Sequence, residues 1–353
     1  MRKLFYVLCF MLAGFPVLAK TKFYSANNPL FRYTGRVDFT KPEIPRFYAP
    51  GVYVEVGFEG SYCELWLNDE ELYGKYHNYI TVVIDGGTPQ RIKLKQKENR
   101  IIVGDKLSEG KHQLLICKGT EAGIGYIDFV GIRCEKLLPA KPAPVRKIEF
   151  MGNSITCGMG SNSTALPCGE GDWYDQSDAY QSYGAITART LNSGYHLSSV
   201  SGIGLMHSCC DHKFVMPQLF DKINFRDNEL VWDFSRYQPD VLSICLGQND
   251  GVQDSATFAK NYLSFIANIR KVYPNTTIVC LSSPMADAKL ATFMQAQLSA
   301  IVKHQCQNGD KNIYYHVFEK QYQAGCSYHP SVKEHYEIAA QLSAFIKKIK
   351  GWN

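Results

Sequence analysis

Two hydrophobic periods divide the chain. From about residue 30 to 135, apolar and polar positions alternate with the two-residue period of strands buried on one face. In G-V-Y-V-E-V-G-F, Val52, Val54, Val56 and Phe58 alternate with Tyr53 and Glu55. The segments S-Y-C-E-L-W-L-N-D, Y-I-T-V-V-I-D, R-I-K-L-K, H-Q-L-L-I-C-K and G-Y-I-D-F-V-G-I-R follow, and F-E-G-S, D-G-G-T-P, V-G-D-K and S-E-G-K read as turns between them. This pattern predicts an all-β sandwich of jelly-roll type over residues 20–136. Trp66, inside one of these strands, is expected in the sandwich core.

The run L-L-P-A-K-P-A-P-V-R interrupts the pattern with three prolines, so residues 137–146 read as a semi-rigid linker. From Lys147 to the end at 353 the period changes to strands alternating with helices. Phe258, Tyr262, Phe265, Ile266, Ile269 and Val272 recur at helical spacing and stop at Pro274. T-T-I-V-C-L is a strand, Leu290 to Val302 a helix, I-Y-Y-H-V-F a strand, and Val332 to Ile349 a last helix opened by the capping box of Ser331 and Glu334. A βαβ series of this kind predicts an α/β domain with a mainly parallel sheet and helices on both faces.

The first 19 residues read differently. Arg2 and Lys3 precede an apolar stretch from Leu4 to Leu18 and V-L-A before Lys20, the pattern of a cleavable signal peptide ending at Ala19. No later segment approaches the roughly 20 apolar residues of a membrane span. The expected product is exported, secreted or periplasmic, with no membrane span. Losing Arg2 and Lys3 takes the net charge from +5 to +3, with both signs interspersed, which gives no nucleic-acid or membrane-surface signature.

Twelve cysteines become eleven once Cys9 leaves. Cys63, Cys117, Cys245 and Cys280 lie in apolar strands and read as small buried thiols. Cys157, Cys168, Cys209, Cys210 and Cys326 fall in loops near the candidate site, where a disulfide could brace the rim. There is no C-x-x-C and no H-E-x-x-H, so neither a metal nor another cofactor is expected.

Three short segments offer chemistry: G-N-S-I-T at 152–156, L-G-Q-N-D at 246–250 and S-Y-H-P-S at 327–331. Each lies at or beyond the end of a predicted strand, and reactive groups in open α/β sheets collect outside the carboxyl ends of strands. Ser154 alone reads equally as a helix N-cap or as a nucleophile whose own N–H faces an oxyanion. Asn249 is a turn residue or an amide donor, and Gly202 in S-G-I-G is one loop glycine among many. His329, fixed by Pro330 before a capped helix, is a structural histidine or a base for the Ser154 hydroxyl. Trp173 and Tyr174 in G-D-W-Y-D-Q-S-D follow the nucleophile loop and are candidates for sugar contact, although such rings also cap cores.

Taken in order, the blocks at Ser154, Gly202, Asn249 and His329 resemble the SGNH (GDSL-type) hydrolase superfamily, and the resemblance covers Lys147 to about Ile349. It implies a three-layer α/β/α domain with Ser154 as nucleophile and His329 as base. The Ser154 N–H, Gly202 N–H and Asn249 side chain would form the oxyanion hole. The segments Y-T-G-R-V-D, N-Y-I-T-V-V-I-D-G-G and E-G-K-H-Q-L-L-I-C-K are similar to the jelly-roll domain that precedes the catalytic domain in carbohydrate esterase family 2. That family implies removal of acetyl groups from plant polysaccharide such as xylan or glucomannan.

The chain departs from the superfamily pattern twice. Asn153 stands where aspartate is usual, beside the nucleophile. The positions two and three residues before His329, where an orienting acid commonly lies, are Ser327 and Cys326. Some members of the family resemble Ser–His dyads in which a backbone carbonyl holds the imidazole. The missing carboxylate also motivates another reading, a carbohydrate-binding protein with weak or lost esterase activity. An esterase for other small acyl esters, such as sialic-acid acetates, is a further alternative.

Overall fold

The computed structural model describes residues 21–353, so the signal-peptide reading lies outside the described residues. The first part is a sandwich built on a ten-stranded antiparallel array centred on the strand Tyr53–Asp69. Sequence predicts two strands here, separated by a turn at F-E-G-S; the structure has one strand of 17 residues. Gly60, at φ +105°, takes the bend without a Cβ, which would press on the Glu135 side chain. The first half of the strand pairs with Lys111–Lys118 and the second with Glu98–Gly104, so one strand serves both layers.

Trp66 is also corrected. It lies half-buried on the outer face, its ring 4.5 Å from that of Phe23 with the Arg100 guanidinium 4.1 Å over it. Alternation explains the difference: Leu65 and Leu67 take the inward positions and Trp66 points out.

The sandwich ends with the strand Ile127–Leu138, and an extended stretch leads to Arg146, where a five-stranded parallel sheet begins. Its order is Ser193–Ser199, Arg146–Gly152, Val241–Cys245, Thr277–Leu281, Ile313–His316. Helices Tyr183–Thr190 and Val332–Lys350 pack together, as do Ser255–Val272 and Ala288–Gln307, and complete the α/β/α layers. The strand order reverses beside Arg146–Gly152, whose neighbours lead away in opposite directions. A crevice opens at such a point, and Ser154 follows that strand.

The two parts share one continuous core, in which Phe47 and Phe129 of the sandwich belong to the same apolar cluster as Leu242 and Ile278. A buried ion pair crosses the same boundary. Arg36 of the sandwich meets Glu149, in the middle of the strand before Ser154, at 2.7 Å, with both side chains almost wholly buried. Ser198 and Tyr273 donate their hydroxyls to the same carboxylate. Burial alone would raise the Glu149 carboxyl, but the Arg36 charge and these bonds outweigh it and hold it below the usual range.

Candidate active site

Ser154 opens a single helical turn, Ser154–Cys157, directly after the Arg146–Gly152 strand. Asn153 is its N-cap, accepting the Ile155 N–H at 3.1 Å, so the capping role open to Ser154 falls to its neighbour. The Ser154 hydroxyl is thereby left to His329, whose Nε2 lies 2.8 Å from Oγ. The Ser154 N–H, at the first position of the turn, has no carbonyl four residues back within the helix.

His329 follows a 3₁₀ turn, Cys326–Tyr328, in which Ser327 adopts the left-handed conformation, φ 51° and ψ 39°. The Ser327 carbonyl lies 2.9 Å from Nδ1 of His329. A carbonyl only accepts, so Nδ1 carries the proton and Nε2 presents its lone pair to the serine hydroxyl. The position sought for an acid side chain is thus filled by backbone. Burial lowers the imidazole pKa from its ordinary 6.5, opposed by the bonds to the Ser327 and Cys326 carbonyls, and the neutral base is favoured.

The turn is anchored on both sides. Cys326 is disulfide-bonded to Cys168, and its N–H donates to the Gly160 carbonyl at 2.8 Å. Cys209 and Cys210 form a second, vicinal disulfide. Seven cysteines are unpaired among the described residues, six of them buried. Of the eleven cysteines among the described residues, seven should titrate as thiols in the unfolded, unreduced protein; eleven would contradict both disulfides.

Gly202 has φ +82°, and a Cβ there would come within 3.0 Å of the His212 ring and the Cys209 sulfur, so both conformation and space require glycine. The Asn249 Nδ2 donates to the Ile203 carbonyl at 2.7 Å and retains a second amide proton. Asp250, next in L-G-Q-N-D, accepts the backbone N–H groups of Leu205, Met206 and His207 at 2.6 to 2.9 Å and ties the glycine loop to the asparagine loop. Sequence reading passes over Asp250, although its adjacency to Asn249 is a usable signal.

Ser154, His329, Gly202 and Asn249 line one cavity of about 460 Å³. Trp173 stands at it with 46% of its surface exposed. Tyr174, expected to touch sugar with Trp173, is corrected: it is fully buried, packs on Tyr76, and its hydroxyl accepts the His77 N–H at 3.1 Å. Adjacent residues in this loop face opposite ways, and the loop is pinned to the sandwich by Asp175. That carboxylate meets Lys93 at 2.7 Å and the Tyr79 hydroxyl at 2.9 Å. Glu121 and Gly123 of the sandwich also line the cavity, and no sequence pattern marks them.

A doubly wound sheet with a serine and a neutral histidine paired outside its switch strand defines a class, the serine-type ester hydrolases. A family model described as GDSL-like lipase/acylhydrolase matches residues 150–333, and one described as carbohydrate esterase 2 N-terminal matches residues 33–144. The chain belongs to carbohydrate esterase family 2. It is 31% identical over 336 residues to the cellulase/esterase CelE of Acetivibrio thermocellus, covering 92% of this chain and 40% of that longer protein. An acetylxylan esterase / glucomannan deacetylase of Cellvibrio japonicus is 26% identical over 345 residues, covering 95% of this chain and 93% of that protein. The solved structure of a family two carbohydrate esterase from Clostridium thermocellum in complex with cellohexaose superposes with a TM-score of 0.84 at 30% identity. That match covers 92% of this chain and all of the other.

Proposed function

We propose that this esterase is an exported O-acetylesterase that removes acetyl groups from plant polysaccharide, xylan or glucomannan, through an acyl-serine intermediate on Ser154. The observation that carries the reading is the relay from the Ser327 carbonyl through His329 to the Ser154 hydroxyl, 2.9 and 2.8 Å, inside the cavity. In the first step Ser154 Oγ bonds to the acetyl carbon while its proton passes to Nε2. The resulting oxyanion takes hydrogen bonds from the Ser154 and Gly202 N–H groups and the Asn249 amide. Collapse breaks the bond to the sugar oxygen, which leaves with the proton from Nε2. Water then attacks the acyl-serine by the same route and releases acetate.

The base works as a dyad. Ser327 fixes the tautomer through a neutral carbonyl, which stabilises the imidazolium less than a carboxylate would. The Ser327 carbonyl standing where an acid would favours turnover over a binding-only role, because the imidazole is oriented. The substrate class is supported by the names of the relatives, and export by the basic, apolar leader up to Ala19. No helix among the described residues is long and apolar enough to cross a membrane.

Release of acetate from acetylated xylan and glucomannan, measured beside hydrolysis of an aryl acetate, tests the substrate. Turnover of the aryl ester alone would overturn the polysaccharide assignment. Trp173→Ala should raise KM on the polysaccharide by about 10-fold while leaving aryl acetate nearly unchanged, since an exposed ring that stacks on sugar contributes about 1–2 kcal/mol. Equal effects on both substrates would exclude sugar contact.

The pH profile follows from the histidine. Protonated His329 has no lone pair for Ser154, so activity is lost as pH falls through its pKa and is retained above it. Because burial lowers that pKa, the acid limb of kcat/KM should have its midpoint below 6.5. A midpoint above about 7 would point to a carboxylate partner instead of the carbonyl.

A further inference from the structure

Resting on the assignment of Gly202 as an oxyanion donor, we propose that His212 and Glu121 are positioning residues for the oxyanion hole. They hold the peptide planes on either side of Ser201 so that the Gly202 N–H faces the reacting oxygen. The Ser201 carbonyl and the Gly202 N–H belong to one planar trans peptide and point in opposite directions. Whatever grips the carbonyl therefore aims the N–H. His212 Nε2 lies 2.6 Å from that carbonyl and donates to it. Drawing charge from the carbonyl also makes the N–H at the other end of the peptide a stronger donor.

The preceding peptide is held from the other domain. Its N–H, that of Ser201, donates to Glu121 Oε2 at 2.6 Å. Glu121 is 5% exposed and sits on the sandwich, where the buried Lys118 ammonium donates to the Thr120 and Glu121 carbonyls at 2.7 and 3.1 Å. Gly202's own carbonyl accepts the Cys209 N–H at 2.9 Å, which closes the loop on itself. Glycine is the residue least able to hold its own dihedrals, so an oxyanion donor at Gly202 needs such external restraint. The arrangement gives the sandwich an indirect part in catalysis: it anchors the peptide that precedes one donor.

His212 also lines the cavity, so contact with substrate is the competing role, and the kinetic split separates the two. His212→Phe, His212→Gln, Glu121→Ala and Glu121→Gln are compared on an aryl acetate, with Ser154→Ala alongside. The substitutions His212→Phe and Glu121→Ala remove the bond, whereas each glutamine retains an amide able to make it. His212→Phe and Glu121→Ala should lower kcat by about 10- to 100-fold, somewhat less than deleting an oxyanion donor outright. KM should stay within about threefold, and each glutamine variant should recover most of kcat. Affinity for methylboronic acid, a tetrahedral mimic held on Ser154, should fall in step with kcat/KM. If Ser154→Ala keeps the parent rate, the underlying reading of the site is what fails. If Ser154→Ala is inactive while His212→Phe and Glu121→Ala leave kcat within about twofold, or raise KM alone, the positioning role is overturned. Should Glu121→Ala not fold, His212→Phe decides the matter, because His212 is exposed and its replacement leaves the core intact.

Discussion

Ser154→Ala is expected to lower kcat/KM for acetyl-ester hydrolysis by about 10³-fold or more, with the fold unchanged. Alanine preserves the backbone turn and its N–H, and the cap remains with Asn153, so only the hydroxyl is lost. His329→Ala should cost nearly as much, and the double variant little more than either single one, the non-additivity expected of a proposed base and nucleophile that act as one unit. Initial rates on an aryl acetate read the effect. Similar rates for Ser154→Ala and the parent enzyme would remove Ser154 from the mechanism.

The largest effect on stability is expected at the ion pair between the two domains. Arg36→Met leaves the Glu149 carboxylate fully buried without its cation and should cost about 3–5 kcal/mol. The guanidinium also donates to the Phe220 and Lys222 carbonyls, at 2.6 and 2.8 Å, and these lose their partner as well. The double variant Arg36→Met, Glu149→Leu should recover the part of the loss that comes from the unpaired charge, while the Phe220 and Lys222 carbonyls and the Ser198 and Tyr273 hydroxyls stay without their partners. Urea midpoints of the parent, both single variants and the double variant read the cycle. A cost below about 1 kcal/mol for Arg36→Met would mean that water or another cation reaches Glu149.

The same pair shows what the amino-acid pattern carries. Glu149 stands between Ile148 and Phe150 in the strand Arg146–Gly152, and a carboxylate flanked by apolar residues there calls for a buried partner. Its partner, 113 positions away, cannot be read from local periodicity. Helices Ser255–Val272, Ala288–Gln307 and Val332–Lys350 are legible because each has one buried face. Tyr183–Thr190 is not, because six of its eight residues are buried and no polar stripe marks the period. F-E-G-S misleads because a glycine bend inside a long strand has the composition of a turn.

At the site, the segments around Ser154, Gly202, Asn249 and His329 are visible because each closes or follows a strand of a parallel sheet. Topology then brings them to one cavity. What orients His329 is not visible in side chains, because the group is a backbone carbonyl set by the left-handed conformation of Ser327. Tyr174 misleads because burial on a neighbouring domain leaves no periodic trace in a loop. Glu121 escapes notice for the same reason: its role depends on how the sandwich sits against the loop at Ser201.

The central claim is that the acetyl group passes through Ser154, and its most direct test is to trap it there. The enzyme is mixed with an excess of aryl acetate, quenched in acid within a turnover, digested and analysed by mass spectrometry. One acetyl group should appear on the peptide carrying Ser154 and be absent from Ser154→Ala. An acetyl group trapped on another residue, with Ser154→Ala still turning over, would contradict the account.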